Sequence, residues 1–345
     1  MNPDSPKNSS RNAGGSRGRA SRGIRHLFRR SEVKFELDIA AATFLRDSIA
    51  RRLPVFEFAP GYPYTFITTV YFDTADRHFF ERARRYYHDN DKIRVKEYYY
   101  EEPSSTQAPG SIEGRVSVRY RTSPVAYVEL KQRRGELVTK KRLRVPKARL
   151  GGILDGDDLG GEQLLGPEAA SPDDAGAELP GSHRDARAAL GRYLERFSVR
   201  ATSVISYRRQ VFQVDEDELR ITFDDRIRIH EPPRDLFGPG FYCRSGEVGA
   251  LTPASLGVPI RSFSKVITEI KCATGEYPDW LRGALRLHSS KLFSKFTASV
   301  RSLSREEPNG NPEGRRFDHG ETPLPGRSSP PSLDDTQVFS SPFES

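Results

Sequence analysis

The stretch that decides the fold is Lys265-Val-Ile-Thr-Glu-Ile-Lys-Cys-Ala-Thr274. It is rich in β-branched residues and alternates in polarity, which is typical of a half-buried strand. Successive side chains of a strand point to opposite faces. Val266 and Ile270 therefore share one face, whereas Glu269 and Lys271 share the other. The pattern predicts a strand with one apolar face and one face that carries an acid beside a base.

The same alternation occurs twice earlier, in Glu32-Val-Lys34-Phe-Glu36 and in Val128-Glu129-Leu-Lys131. Periodicity alone leaves two arrangements open. The charged faces could be solvated outer faces around an ordinary apolar core, or they could line the interior of a barrel. A barrel of eight strands has an interior just wide enough for side chains or one slim ligand. The recurrence of charged strands favours the charged interior.

The remaining alternating segments predict further strands and several helices, and the short connections favour antiparallel pairing. We expect an α+β fold: an antiparallel eight-stranded tunnel barrel with helices packed outside. The predicted strands are Ser31–Leu37, Tyr64–Phe72, Asp91–Tyr100, Val125–Lys131, Leu137–Val145, Thr202–Val214, Glu218–His230 and Lys265–Thr274. The predicted helices are Asp38–Leu53, Arg77–Tyr86, Arg184–Phe197, Asp279–Leu287 and Ser294–Leu303.

Composition sets the domain boundaries. Only 35% of the 345 residues are hydrophobic and 30% are charged, which predicts disordered segments around a globular core. Residues 1–27 are predicted to form a disordered basic arm and residues 304–345 a disordered tail. The predicted domain spans 28–303 and contains a flexible Gly/Asp/Pro-rich insertion at about 151–184.

The net charge of +8 and the pI near 9.4 favour an anionic partner. Nucleic acid, polyphosphate, nucleotides and an anionic membrane surface all satisfy that condition. The sequence contains no apolar run of about 18 residues that would span a membrane. Its two cysteines, Cys243 and Cys272, have no metal-binding or redox spacing. These features predict a cytoplasmic protein.

Many basic residues fall on the predicted charged faces. Two like charges about 4 Å apart repel by roughly 4 kcal/mol at an effective dielectric constant near 20, so a dry, empty interior could not hold them. A hydrated interior that binds a polyanion could. Three glutamates on the same faces, Glu32, Glu129 and Glu269, would offset part of the charge or hold a divalent metal. The basic residues are Lys34, Arg94, Lys96, Lys131, Lys140, Arg142, Arg220 and Lys271.

A series of short motifs resembles the VTC domain, the polyphosphate polymerase module of the vacuolar transporter chaperone family within the triphosphate tunnel metalloenzymes. The resemblance covers roughly residues 28–303, and each motif is weak without the others. The motifs are Glu32-x-Lys34-Phe, Val70-Tyr-Phe-Asp-Thr74, Lys92-Ile-Arg94-Val-Lys96, Val128-Glu-Leu-Lys131, Lys140-x-Arg142, Tyr207-x-Arg209, Arg220-Ile-Thr-Phe-Asp224, Glu269-Ile-Lys271 and Ser294-Lys-Phe296.

The resemblance implies a polymerase that uses ATP and Mn²⁺ or Mg²⁺ to extend a polyphosphate chain inside a basic tunnel. Glu269 matches the metal position. Lys96 stands where many members have an arginine, and a lysine lacks the bidentate geometry of that side chain. Arg82 or Arg84 would supply a further contact. The residues that match phosphate-binding positions are Lys34, Arg94, Lys131, Lys140, Arg209, Arg220 and Lys295. We expect a catalytic role for Lys34, Arg94, Lys96, Lys131, Arg209 and Arg220, and phosphate binding by Lys140, Arg142, Lys271 and Lys295.

Two other functions use the same residues. The protein could hydrolyse inorganic triphosphate or nucleoside triphosphates, because the same cations would serve if water rather than a phosphate chain reached the γ-phosphorus. It could also be a non-catalytic module that binds polyanions. The expected partners are ATP and polyphosphate, without nucleic acid and without a membrane span. Peripheral or partner-mediated membrane association and the oligomeric state stay open.

Overall fold

The computed structural model describes residues 31–102, 119–154, 182–214, 219–237, 251–272 and 277–304, apart from residues 287 and 292. The predicted terminal segments, 1–27 and 304–345, lie outside this range except for Ser304. The strands are β1 (Ser31–Leu37), β2 (Thr65–Thr74), β3 (Asp89–Glu101), β4 (Tyr120–Thr122), β5 (Val125–Arg134), β6 (Leu137–Pro146), β7 (Val199–Val214), β8 (Leu219–His230), β9 (Arg261–Ser262) and β10 (Val266–Cys272). The helices are α1 (Ile39–Ala50), α2 (His78–Arg85), α3 (Leu150–Leu154), α4 (Ser182–Arg196), α5 (Pro253–Leu256), α6 (Asp279–Leu285) and α7 (Lys295–Leu303).

All strands of the described residues belong to one antiparallel sheet. Eight of them follow the order β1-β10-β8-β7-β2-β3-β5-β6, while β4 pairs with β3 and β9 pairs with β8. The predicted α+β class with an antiparallel sheet is confirmed. The predicted closed barrel is not confirmed, because no described pairing joins the edge strands β1 and β6. Alternation identifies strands, but closure depends on contacts between distant edges that alternation does not encode.

Local chemistry explains where several elements begin and turn. Asp38 accepts a hydrogen bond from the Ala41 amide at 2.7 Å and caps the N-terminus of α1. Asp73, at the end of β2, accepts the amides of Phe79 and Phe80 at 2.8 Å each and so fixes the start of α2. The hairpin between β5 and β6 turns at Gly135, whose φ of 59° suits glycine. This hairpin was expected at Arg133-Arg-Gly-Glu136.

The ends of the segment predicted as an insertion are helical. Its start, after Leu150, belongs to α3, and its last residues belong to the first turn of α4. Residues 155–181 lie outside the described part of the chain. Leu150 and Ile153 are buried, so the described chain continues past β6 into a packed helix. The insertion at about 151–184 otherwise stays a prediction.

Helices cover the apolar side of the sheet, here called the outer face. Helix α1 packs Leu45 and Ile49 against Phe35 of β1 and Ile270 of β10. Helix α4 contacts β5 and β6, and its Leu190 lies in the same core as Val128 and Leu143. Burial of each such aliphatic side chain contributes about 1.5–3 kcal/mol. The apolar halves of β1, β10, β5 and β6 are thus buried beneath helices, and their charged halves point the other way.

The charged side of the sheet, here called the inner face, is strongly curved. Glu32 on β1 and Lys131 on β5 lie near opposite ends of the strand order, yet they interact electrostatically. Lys34 and Arg94 also act on Lys131. Side chains of β1, β3 and β5 therefore face one another across a shared interior. Of the two arrangements that the sequence left open, this one favours charged faces that line an interior over charged faces on a solvated outer surface.

Candidate anion-binding site

Strand register aligns the inner-face residues into rows. Paired residues of antiparallel strands point to the same face. One row runs across five strands through Ser203, Tyr71, Arg94, Glu129 and Arg142. The register thus brings side chains of β7, β2, β3, β5 and β6 together, although they are separated by long stretches of sequence.

The Glu129 cluster comprises Arg94, Glu129 and Arg142. Glu129 is fully buried, and its two oxygens accept hydrogen bonds from Arg94 Nε at 2.6 Å and Arg142 Nε at 2.7 Å. Burial alone would raise the pKa of Glu129, but the two guanidinium groups hold that pKa well below its usual range. The Tyr98 hydroxyl also accepts a hydrogen bond from Arg142. The carboxylate fixes both arginines in place through charge-assisted bonds.

The Glu269 cluster comprises Glu32, Lys34, Glu269 and Lys271. The Lys34 ammonium lies 2.6 Å from Glu32 and 3.6 Å from Glu269, and Lys271 lies 2.9 Å from Glu269. Burial opposes ionisation of Glu269, yet Lys271 and Lys34 hold its pKa well below the usual range. The pKa of Lys271 is raised, chiefly by Glu269. All four groups are therefore ionised near neutral pH.

The Asp224 cluster comprises Arg209, Asp224 and Lys295. Asp224 is completely buried and accepts two hydrogen bonds from Arg209, at 2.6 and 2.9 Å, and one from Lys295 at 2.6 Å. Lys295 is the first residue of α7, directly after the N-cap Ser294, whose side chain accepts the Thr297 amide. Phe296 follows and packs against Tyr71. Helix α7 thus begins inside the charged interior.

The lysine row comprises Lys92, Lys131 and Lys140, which are paired in register on β3, β5 and β6. Burial lowers the pKa of Lys92 to about 7, with Lys131 and Arg94 adding repulsion. Burial also lowers the pKa of Lys131 to about 8, although Glu32 partly opposes this shift. Among the described residues, neither Lys92 nor Lys131 has a carboxylate within ion-pair distance; Lys92 contacts the Ser294 hydroxyl at 3.3 Å. Lys140 is exposed at the end of the row.

The remaining predicted site residues occupy different positions. Lys96 is buried on the inner face near the Tyr98 ring and acts electrostatically on Glu129. Arg220 is paired in register with Lys271. Arg82 and Arg84, by contrast, lie on α2, where they form ion pairs with Asp89 and Glu81 respectively. The described contacts therefore bring the strand residues together and give the two helix residues local partners.

A divalent metal would need oxygen ligands on the inner face, and carboxylates are the best candidates. Within the described ranges, no three His, Cys, Asp or Glu side chains converge into a metal site. Glu32 and Glu269 both contact the Lys34 ammonium, so two carboxylates lie side by side. Mg²⁺ is commonly held by one or two carboxylates together with substrate phosphates. The pair fits a metal that binds jointly with a triphosphate.

Two residues of the inner face received no role in the sequence prediction. Asp224 anchors Arg209 and Lys295, and Lys92 heads the lysine row. Both obey the same period of two as their neighbours, since Asp224 follows Arg220 by four residues and Lys92 precedes Arg94 by two. The alternation therefore indicated that Asp224 and Lys92 lie on the inner face. It could not indicate their partners, which come from other strands and from α7.

The sequence profile of the VTC domain matches residues 29–304. The chain belongs to the VTC domain family. No curated protein sequence gives a significant match. In the described part of this VTC protein, no helix is both long and apolar enough to cross a membrane.

Solved structures similar to this VTC protein are distant in sequence. The PH1819 protein from Pyrococcus horikoshii has 8% identity and a TM-score of 0.30, with 74% of this chain and 86% of that chain covered. A protein provisionally named an adenylate cyclase, from Bacillus halodurans, has 11% identity and a TM-score of 0.33 over 84% and 99% of the two chains. The Mediator head module from Schizosaccharomyces pombe has 7% identity and a TM-score of 0.29 over 75% and 90%. At these scores the similarities support no statement about function.

Proposed function

We propose that the protein is a polyphosphate polymerase, which transfers the γ-phosphoryl group of ATP to a growing polyphosphate chain on the inner face of the sheet. The observation that carries this proposal is the lysine row, in which half-buried Lys92 and Lys131 face other cations. Membership of the VTC domain family supports the same assignment. A bound polyphosphate would replace this repulsion with attraction.

Phosphoryl transfer requires positioning and charge neutralisation more than a protein nucleophile. Arg94, Arg142 and Arg209 are already held by buried carboxylates, so they can bind phosphate oxygens with little loss of side-chain entropy. Lys92 and Lys131 would take the charge of the next phosphates along the chain. Lys34 and Lys271 contact Glu269, and Arg220 is paired in register with Lys271. These three residues would bind the triphosphate near the metal position.

The two carboxylates Glu32 and Glu269 would hold Mn²⁺ or Mg²⁺ together with the triphosphate. The metal would neutralise negative charge on the phosphate oxygens. Ligand binding would first separate Lys34 from Glu269, since their present ion pair occupies the same carboxylate. The Lys34 ammonium could then contact a phosphate oxygen, while Glu269 would bind the metal. Each group would thus exchange its present ion-pair partner for the ligand.

The decisive experiment incubates the full chain with ATP and Mn²⁺ and measures long-chain polyphosphate and free phosphate separately. The proposal predicts long chains, together with ADP, and strong loss of product in Lys131→Gln. The matched control is Arg84→Gln on α2, which should keep wild-type activity. Free phosphate without chains would instead indicate the triphosphatase. Absence of both products, with retained polyphosphate binding, would indicate a non-catalytic module.

A further inference from the structure

A second cationic cavity lies on the outer face of the sheet. It has a volume of about 180 Å³ and is formed where β2, β3, β4, β7 and β8 meet the start of α5. Its lining includes four aromatic residues, Phe66, Tyr99, Tyr120 and Tyr207, and three arginines, Arg208, Arg226 and Arg228. This combination of rings and guanidinium groups suits a ligand with a planar apolar part and an anionic part.

A backbone irregularity places the arginines on this face. Up to Asp224, the even-numbered residues of β8 point to the inner face, as Arg220 and Asp224 do. The pairing of β7 with β8 then shifts between Ser206 and Arg208, and Arg226 has a positive φ of 51°. Bulges of this kind redirect side chains and recur next to functional sites. After the shift, Arg228 pairs with Ser206 in the row of Thr68, on the outer face.

The arginines differ in how their charge is balanced. Arg208 is held by Asp225 through two hydrogen bonds of 2.8 Å and stacks on Tyr64. Within the described chain, Arg226 and Arg228 make no ion pair, and both side chains are exposed. Glu101 also lines the cavity and supplies the only carboxylate among its described lining residues. The cavity therefore retains positive charge that a ligand could use.

The rings form a preorganised apolar wall. Phe66 stacks on Tyr99 with a centroid distance of 5.8 Å and an interplanar angle of 20°. Tyr120 meets both rings edge-on, at 5.6 and 5.1 Å. Tyr99 is buried and hydrogen-bonded to Thr68, which fixes its ring. Because Phe66 and Tyr99 are almost completely buried, Tyr120 supplies the accessible ring of this wall, against which a flat ring could stack.

We propose that this outer cavity binds a nucleoside monophosphate, with the base against the aromatic wall and the phosphate on Arg226 and Arg228. The volume admits one base-sized ring, while the exposed arginines at the rim receive the charged end. Inorganic phosphate alone would leave the aromatic wall unused. The site is separate from the inner face, because Arg208 and Arg209 are neighbours in β7 but form hydrogen bonds on opposite sides of the sheet.

Calorimetric titration of the full chain with AMP tests the site, with adenosine and inorganic phosphate as comparison ligands. The double variant Arg226→Gln/Arg228→Gln keeps each Cβ and should weaken AMP binding about tenfold or more, the loss expected for one charged hydrogen bond. The matched control is Arg200→Gln, an exposed arginine of β7 that does not line the cavity. Melting temperatures of the three proteins should agree.

A second variant separates this site from the inner face. Lys131→Gln should leave AMP affinity unchanged, whereas the double arginine variant should leave tripolyphosphate affinity unchanged. Equal AMP affinity in wild type and the double variant would overturn the proposal, as would loss of AMP binding only in Lys131→Gln. Undetectable AMP binding at millimolar concentration, or inorganic phosphate binding as tightly as AMP, would overturn it too.

Discussion

The inner face contains two kinds of positive charge. In the Glu129, Asp224 and Glu269 clusters, each cation touches a carboxylate, and the acids hold lowered pKa values despite burial. In the lysine row, Lys92 and Lys131 face each other, and their pKa values fall to about 7 and 8. The paired clusters are complete without a ligand. The lysine row is not, so we assign to it the main role in recruiting an anion.

The largest loss of stability is expected when the carboxylate of a paired cluster is removed. Glu129→Gln removes the buried carboxylate that Arg94 and Arg142 share, and breaking a buried pair from one side costs about 3–5 kcal/mol. Urea denaturation should show a free energy of unfolding lower by that amount. The control Glu81→Gln removes an exposed partner of Arg84 and should cost about 0–1 kcal/mol. Equal losses would mean that Glu129 does not support the inner face.

The second prediction concerns catalysis at the Glu269 cluster. Glu269→Gln removes a carboxylate assigned to the metal, and turnover should fall roughly a hundredfold, a loss typical when one group that stabilises transition-state charge is removed. The fold should persist, because Lys34 keeps its contact with Glu32. The initial rate of polyphosphate synthesis is measured across a metal titration. An unchanged rate at limiting and at saturating metal would remove Glu269 from the proposed site.

The third prediction concerns pH and the lysine row. The pKa of Lys92 in the folded protein, about 7, lies below that of an unfolded lysine, roughly 10.4. Between about pH 7 and 10 the unfolded chain therefore binds more protons than the folded protein. The contribution of Lys92 to the free energy of unfolding rises with pH over this range. Lys92→Gln should flatten that rise in thermal melts. A wild-type slope retained in the variant would contradict the assignment.

Anion affinity should change with pH in the opposite sense. A bound phosphate favours protonated Lys92 and Lys131, so affinity is greatest below about pH 7 and falls as pH rises beyond 8. Titration with tripolyphosphate at pH 6, 7.5 and 9 measures this trend. Tripolyphosphate itself loses its last protons over part of this range, and that change affects both proteins equally. The effect of the lysine is therefore the difference between wild type and Lys92→Gln. If affinity changes with pH equally in both proteins, Lys92 does not bind the anion.

The smallest effect is expected on α2. Arg84→Gln disrupts an exposed i,i+3 pair with Glu81, which contributes no more than about 0.5 kcal/mol. Stability and tripolyphosphate affinity should both remain close to wild type. Arg82 and Arg84 were candidates for phosphate contact, so a clear loss of affinity in Arg84→Gln would extend the site to this helix.

Much of this molecule could be predicted from alternation. In β10, the period of two correctly separates buried Val266 and Ile270 from charged Glu269 and Lys271. The opposing face of the sheet is covered by helices, as expected for that apolar half. Such a local pattern indicates which side chains share a face, because successive side chains of a pleated strand point to opposite faces.

Register, partners and irregularities could not be predicted in this way. The row that joins Arg94 to Glu129 and Arg142 depends on how three strands align, and the contact of Lys295 with Asp224 depends on where α7 enters. At Arg226 the alternation itself misleads, since the bulge reverses the face of Arg228. No glycine marks this position of positive φ, so the sequence lacks the usual signal.

The most direct test of the account measures melting temperature with tripolyphosphate and with sulfate, for wild type, Lys92→Gln, Lys131→Gln and Arg84→Gln. A ligand that fills the lysine row should stabilise wild type by about 2.7 kcal/mol at a hundredfold excess over its dissociation constant. Sulfate should act far less. We predict that both lysine variants melt at or above the wild-type temperature without ligand and lose most of the tripolyphosphate shift, while Arg84→Gln keeps it. Equal shifts in all four proteins would contradict the account.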